Sequence, residues 1–214
     1  MNQKCKTKCQ RLDLVLDGGV CTGEVTEIYG ESGVGKTQIC LQLVLNCTLL
    51  PEDGGLYGSS IYIQVCPVFL VNMLSQISTH LLQHCAIDEN PLSLVQVKKV
   101  DNPQQILLVL NQVEKMVLYS HEGCRHTRVV VLDSIAHLFR DDHDNTSKGY
   151  YEWHRMLVAV ARKMKQIAES YNIALIVVNE VTDVFDAPFR SGSSSLQTYT
   201  SGREVKPSLG TAWG

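Results

Sequence analysis

The chain has 214 residues, 44% of them hydrophobic and 19% charged, a globular balance that excludes wholesale disorder. A chain this long buries roughly 70% of the surface its unfolded form exposes, so it needs no covalent or metal staples. Lys+Arg 19 against Asp+Glu 22 gives a formal charge of −3, which leaves no global field for gripping nucleic acid or anionic lipid. Such binding has to come from a local patch.

Residues 1–11 are polar, with Lys4, Lys6, Lys8 and Arg11 set between cysteines and Thr7, and read as a basic, solvated tail. Strand-like and helix-like patterns then alternate. Val25 to Tyr29 is a short strand that runs into a glycine-rich turn, and Lys36 to Cys47 follows as a helix. Gly54 to Ser60 reads as a loop and Ile61 to Val65 as a second strand. Pro67 opens a helix that continues to about Cys85, and Leu94 to Val97 is a third strand.

Asn102 followed by Pro103 gives the favoured cap-then-proline order for a helix that ends near Ser120. Arg128 to Leu132 is an apolar strand of the kind buried on both faces of a parallel sheet. Gly149 to Tyr171 is the longest helix, with Trp153, Met156, Leu157, Val160, Met164, Ile167 and Tyr171 on one stripe. Ala174 to Val178 is a fifth strand. Strands separated by helices give right-handed crossovers, so the expected fold is a three-layer α/β domain with a mainly parallel sheet. From Thr182 onward the pattern dissolves, and Ser191 to Thr200 is rich in Gly, Ser and Thr.

The eight cysteines are too few for a disulfide scaffold of this length, and no Cys-x-x-Cys pair occurs. Cys40, Cys47 and Cys85 read as small core hydrophobes. Cys5, Cys9 and Cys21 have the wrong spacing for a metal knuckle, and His80 and His84 share a helical face without an intervening Glu. Reduced thiols and no evident leader point to nucleus or cytoplasm. No apolar run approaches about 18 residues, so no membrane span is expected.

Gly30-Glu31-Ser32-Gly33-Val34-Gly35-Lys36-Thr37 fits the phosphate-binding loop G-x-x-x-x-G-K-[ST], placed after a strand and before a helix as the mechanism requires. The glycines let the backbone curl so that its N–H groups face phosphate, and the helix N-terminus adds to that field. Lys36 is expected on the β- and γ-phosphates and the Thr37 hydroxyl on Mg²⁺. Asp133, at the carboxyl end of the buried strand, is placed to support the metal. Together the two motifs indicate a Mg²⁺·nucleoside triphosphate site.

Leu12-Asp13-x-x-Leu16-Asp17-Gly18-Gly19-Val20, then Thr26-Glu27-Ile28-x-Gly30 through Thr37 and on to Leu43, resemble the RecA/RadA recombinase family. So do Val130-Val131-Leu132-Asp133-Ser134-Ile135-Ala136-x-Leu138-Phe139-Arg140 and Asn179-x-Val181-Thr182-Asp183. Ser201-Gly202-Arg203 and Pro207-Ser208-Leu209-Gly210-x-Ala212-Trp213 bring the likeness closest to the eukaryotic recombinase paralogs.

The resemblance implies a RecA-like ATP-binding core over residues 12–214. It implies ATP and Mg²⁺ as cofactors, and a role assisting homologous recombination and double-strand-break repair in the nucleus. The implied partners are a sister recombinase paralog, a strand-exchange recombinase and single-stranded or branched DNA. The family's two DNA-facing loops fall at Asp141 to Gly149 and Thr182 to Ser208. The second carries Arg190, Arg203 and Lys206 with Phe185, Phe189 and Tyr199, cations for phosphates and rings for bases. The first is acidic, through Asp141, Asp142 and Asp144.

Three departures from the family pattern stand beside these matches. The catalytic Glu that orients water falls at Cys66, and a thiol is a poor base for water. The γ-phosphate-sensing Gln is Glu180, an acceptor where a donor is expected and a possible replacement base. The family's N-terminal helical domain and its last sheet strands are missing from the sequence. The expected function is therefore an ATP-binding recombinase paralog whose nucleotide acts mainly as an assembly switch. A DNA-stimulated ATPase and a nucleotide-free structural adaptor are the alternatives.

Overall fold

The computed structural model describes residues 2–65, 70–85, 89–118, 124–139, 147–183 and 205–209. A short pair, β1 (Lys4–Cys5) and β2 (Val20–Cys21), flanks α1 (Gln10–Val15). The central elements are β3 (Val25–Tyr29), α2 (Lys36–Asn46), β4 (Ser59–Gln64), α3 (Leu70–His84) and β5 (Val95–Lys99). They continue through α4 (Pro103–Leu118), β6 (Thr127–Asp133), α5 (Ile135–Phe139), α6 (Ser147–Tyr171) and β7 (Ala174–Asn179). Last come β8 (Val181–Asp183) and β9 (Val205–Pro207).

Five strands form one all-parallel sheet in the order β3-β7-β6-β4-β5. Successive side chains of a strand face opposite sides, and both sides here are apolar. Ile61, Ile63, Val130, Leu132, Leu175 and Val177 join one core cluster with α4, α5 and α6. Tyr62, Val129, Val131, Ile176 and Val178 join the other, against α2 and α3. This two-sided burial is why the central strands are apolar without alternation. The stripe on α6 is core packing, with Leu157, Val160, Met164 and Ile167 all fully buried.

The predicted cap of α4 is present. Gln105 N–H donates to Asn102 Oδ1 at 3.0 Å, and Gln105 Oε1 accepts from Asp101 N–H at 3.1 Å. Each partner satisfies a backbone donor that the first turn cannot. Asn102→Ala is expected to lower stability by about 1 kcal/mol, read as an earlier urea midpoint with an unchanged slope.

Two expectations need correction. Residues 2–11 are not a solvated tail. Lys4 and Cys5 pair antiparallel with Cys21 and Val20, Lys6 N–H donates to Gly54 O at 2.9 Å, and Cys5 and Thr7 are buried. Thr7 donates its N–H and its hydroxyl to Asp13 Oδ1 at 2.7 and 2.8 Å, so the acid at Asp13 ties this segment to α1. Regular structure also resumes beyond Thr182. β8 and β9 pair antiparallel, Val181 opposite Pro207 and Asp183 opposite Val205. The predicted helix start at Pro67 lies outside the described residues. Among the described residues no helix is long and apolar enough to cross a membrane.

Candidate functional site

Parallel strands in one sheet deliver their carboxyl ends to a common edge, and ligand sites of open α/β sheets form there. In this sheet Tyr29 aligns with Asn179 and Gln64 with Asp133, so the ends of β3, β7, β6 and β4 share one rim. The loop between β3 and α2 crosses it. Gly33 and Gly35 have φ of +81° and +97°, a region that strains any side chain with a Cβ. The space a Gly33 Cβ would enter is empty to 4 Å, which leaves the backbone open to close approach.

A cleft of about 390 Å³ opens at this rim. Ser32, Gly33, Gly35, Lys36 and Thr37 line one wall, and Asp133, Tyr62, Gln64, His137 and Glu180 lie opposite. The Lys36 ammonium donates to Gly30 O and Glu31 O, both at 2.7 Å, and so sits over the loop mouth. Val34 points outward and is exposed. The Thr37 hydroxyl donates to Asp133 Oδ2 at 2.7 Å. The residues expected from the motifs are thus brought together: Lys36, Thr37 and Asp133 converge on one cleft.

Tyr62 was not legible as a site residue. It lies mid-strand in β4, on the face toward α2, and its phenol donates to the same Asp133 Oδ2 at 2.5 Å. Burial, then the Asp133 charge, pushes the Tyr62 pKa far above its ordinary value, so the phenol remains an O–H donor. Thr37 and Tyr62 together fix the Asp133 carboxylate beside the loop. A hydroxyl and a carboxylate in contact form the kind of oxygen donor set that suits a hard divalent cation. An ammonium over a glycine-rich turn at a helix N-terminus suits phosphate. The residues fit both groups.

Glu180 is aimed by its neighbour. Asn179, fully buried, donates through Nδ2 to Glu27 Oε1 at 2.7 Å and accepts at Oδ1 from Glu180 N–H at 2.8 Å and Ser208 Oγ at 2.9 Å. That amide is locked from three sides, and Ser208 N–H adds a bond to Glu180 O at 2.8 Å. The Glu180 side chain then enters the cleft, with Oε1 at 3.2 Å from His137 Nδ1. Ser134 Oγ lies 3.1 Å from the same nitrogen.

Cys66, Arg190 and Arg203, with Phe185, Phe189 and Tyr199, lie outside the described residues. Lys206 is exposed on β9, opposite Thr182. Cys5 is buried while Cys9 is exposed, and no cluster of His, Cys, Asp or Glu among the described residues is arranged to hold a metal through three side chains.

A parallel sheet covered on both faces, with a phosphate-loop motif at its carboxyl rim and an acid at the end of a neighbouring strand, is a RecA-like α/β core. The chain belongs to the Rad51 family, which it matches over residues 3–199. It is 36% identical over 228 residues to a DNA repair protein XRCC3 homolog of Arabidopsis thaliana, covering 99% of this chain and 72% of that protein. It is 30% identical over 192 residues to DNA repair protein RAD51 homolog 3 of Dictyostelium discoideum, covering 85% of this chain and 49% of that one. It is 32% identical over 183 residues to the DNA repair and recombination protein RadA of Metallosphaera sedula, with 84% and 53% covered.

Proposed function

We propose that this chain is an ATP-binding recombinase paralog that assists homologous recombination and double-strand-break repair, with nucleotide serving mainly as an assembly switch. The observation that carries this reading is the convergence of Lys36, Thr37 and Asp133 on one cleft. In it the backbone of Gly33 and Gly35 and the Lys36 ammonium bind phosphates, while Thr37 and Asp133 hold Mg²⁺. Nucleotide held there would favour whichever state of the chain binds it. A ligand that binds one state alone at 100 times its dissociation constant shifts an equilibrium by about 2.7 kcal/mol without turnover.

Relatives named for DNA repair and for recombination support the biological role. Partners of this type are a sister paralog, a strand-exchange recombinase and single-stranded or branched DNA, in the nucleus and also the cytoplasm. Arg190, Arg203 and Lys206 are the residues proposed for DNA contact.

A second reading, a DNA-stimulated ATPase, has one observation in its favour: Glu180 brings a carboxylate into the cleft. Against it stands Cys66, a thiol where the family resemblance places the base that orients water, which is why the switch reading is preferred. A single-turnover experiment decides between them. The protein is loaded with labelled ATP and Mg²⁺, single-stranded DNA is added, and retained nucleotide, ADP and association with a sister paralog are followed. Retention without conversion, with ATP-dependent association, is the expected result. Conversion that disappears in Glu180→Ala would replace the switch by the ATPase.

A further inference from the structure

The phenol of Tyr62 and the hydroxyl of Thr37 both donate to one oxygen, Asp133 Oδ2, at 2.5 and 2.7 Å. A carboxylate oxygen has about two lone-pair sites, so these two donors fill Oδ2. They come from different elements, β4 and α2, and the one from β4 is rigid. Tyr62 is buried, with its backbone aligned to Val97 on one side and to Val131 on the other. Its ring joins the core cluster that holds Cys40, Leu41 and Leu74. Burial, then the Asp133 charge, keeps the proton on the phenol. A ring fixed in this way does not follow the carboxylate if it turns.

We propose that Tyr62 sets the choice of cation at this site: by sharing Oδ2 with Thr37 it confines Asp133 to ligation through one oxygen, which favours Mg²⁺ over Ca²⁺. This rests on the nucleotide-binding reading above and adds its metal specificity.

The preference follows from what the two ions require. Mg²⁺ demands a near-octahedral shell at about 2.0–2.1 Å, keeps several of its waters, and takes only one or two carboxylates beside substrate phosphates. Ca²⁺ takes about 6–8 oxygens at about 2.3–2.6 Å, and it gains from a carboxylate that can turn and offer both atoms. With Oδ2 filled, offering both atoms would break the bond to Tyr62 or the bond to Thr37. The Thr37 bond is compatible with either ion, since a hydroxyl that donates its proton keeps lone pairs for a cation. The Tyr62 bond is the one that restrains the carboxylate from the core side. Tyr62 therefore acts on the cation through Asp133, as a positioning residue.

Tyr62→Phe keeps the ring and deletes the donor, and Thr37 still partners Oδ2. Affinity for a fluorescent ATP analogue is measured with Mg²⁺, with Ca²⁺ and with chelator alone, alongside thermal unfolding. The unaltered protein is expected to bind the Mg²⁺ form at least about fivefold more tightly than the Ca²⁺ form, roughly what one hydrogen bond contributes. In Tyr62→Phe that ratio is expected to fall about fivefold, while affinity in chelator stays unchanged, because the Lys36 loop meets phosphates without the metal. A role in packing alone would lower all three affinities together and leave the ratio where it was. The analogue's own affinity for the two ions is common to both proteins and cancels in the comparison.

An unchanged ratio in Tyr62→Phe, or no preference for Mg²⁺ in the unaltered protein, would overturn this inference alone. The second of these results needs no variant, so it decides even where thermal unfolding shows Tyr62→Phe to be unfolded. Failure of the unaltered protein to bind the analogue with either ion would overturn the binding reading with it.

Discussion

Replacing Lys36 with Ala is expected to weaken ATP binding about 100-fold or more, while the melting temperature moves by no more than about 2 °C. The two halves of that expectation have separate origins. Lys36 is the first residue of α2, where the helix N-terminus already favours anions. Its ammonium is the cation the loop itself contributes to the cleft, and its two bonds go to the carbonyls of Gly30 and Glu31. An ammonium with three donors can keep a loop carbonyl and still meet a phosphate oxygen. Deleting it removes at least one charge-assisted bond and one favourable charge from a site whose ligand is strongly anionic. The fold depends on it little, because Lys36 is half-exposed and carries none of the core contacts of α2. Those belong to Cys40, Leu41, Leu43, Val44 and Leu45. Titration of a fluorescent ATP analogue, with thermal unfolding run in parallel, checks both statements. Unchanged affinity in Lys36→Ala would place the phosphates away from this loop.

The parts of this site that were legible in the sequence are those whose residues are close in the chain or fixed by one element. Gly30 to Thr37 is a contiguous motif, and Asp133 announces itself as an acid ending an apolar strand. The pairing of His137 with Glu180 was not legible, since it depends on β7 lying next to β6 in the sheet. Nothing in the linear order of residues 137 and 180 requires that adjacency. Tyr62 was hidden for a related reason: an aromatic residue inside an apolar strand reads as core, and its hydroxyl gains a role only because β4 pairs with β6.

The N-terminal segment carried a readable signal that polarity obscured. Lys4, Lys6 and Lys8 are exposed while Cys5 and Thr7 are buried, a strict period of two, which is the pattern of an edge strand with one face inward. Charge on the outward positions made it look like a tail. Its docking also requires Gly19, whose φ is +131° and whose Cβ, if present, would lie 2.4 Å from Cys5 O. The ladder between β8 and β9 has three residue pairs, too few for any periodicity to emerge from sequence.

The largest expected loss of stability comes from Gly55→Ala, about 3 kcal/mol, at the upper end for overpacked sites. A Cβ at Gly55 would stand 2.2 Å from Leu49 O, 2.5 Å from Leu49 C and 2.7 Å from Asn46 O. All three are backbone atoms, so no side chain can swing aside to relieve the clash. The turn that contains Gly55 closes over the carboxyl end of α2. Leu56 and Gly58 each donate an N–H to Cys47 O at 3.1 Å, and Tyr57 donates to Leu49 O at 2.9 Å. Carbonyls at a helix end are without intrahelical partners, and here the turn supplies donors to the C-cap carbonyl of Cys47 and to Leu49 just beyond it. Displacing the turn would strip those bonds and loosen the helix that begins with Lys36 and Thr37. The adjacent Gly54→Ala is the control. Its Cβ would meet the Lys6 side chain, Cδ at 2.6 Å, which can move, so its cost is that of a φ of +81°, about 1 kcal/mol. Urea unfolding should therefore rank Gly55→Ala well below Gly54→Ala, and a reversed order would mean that the turn is not seated on α2.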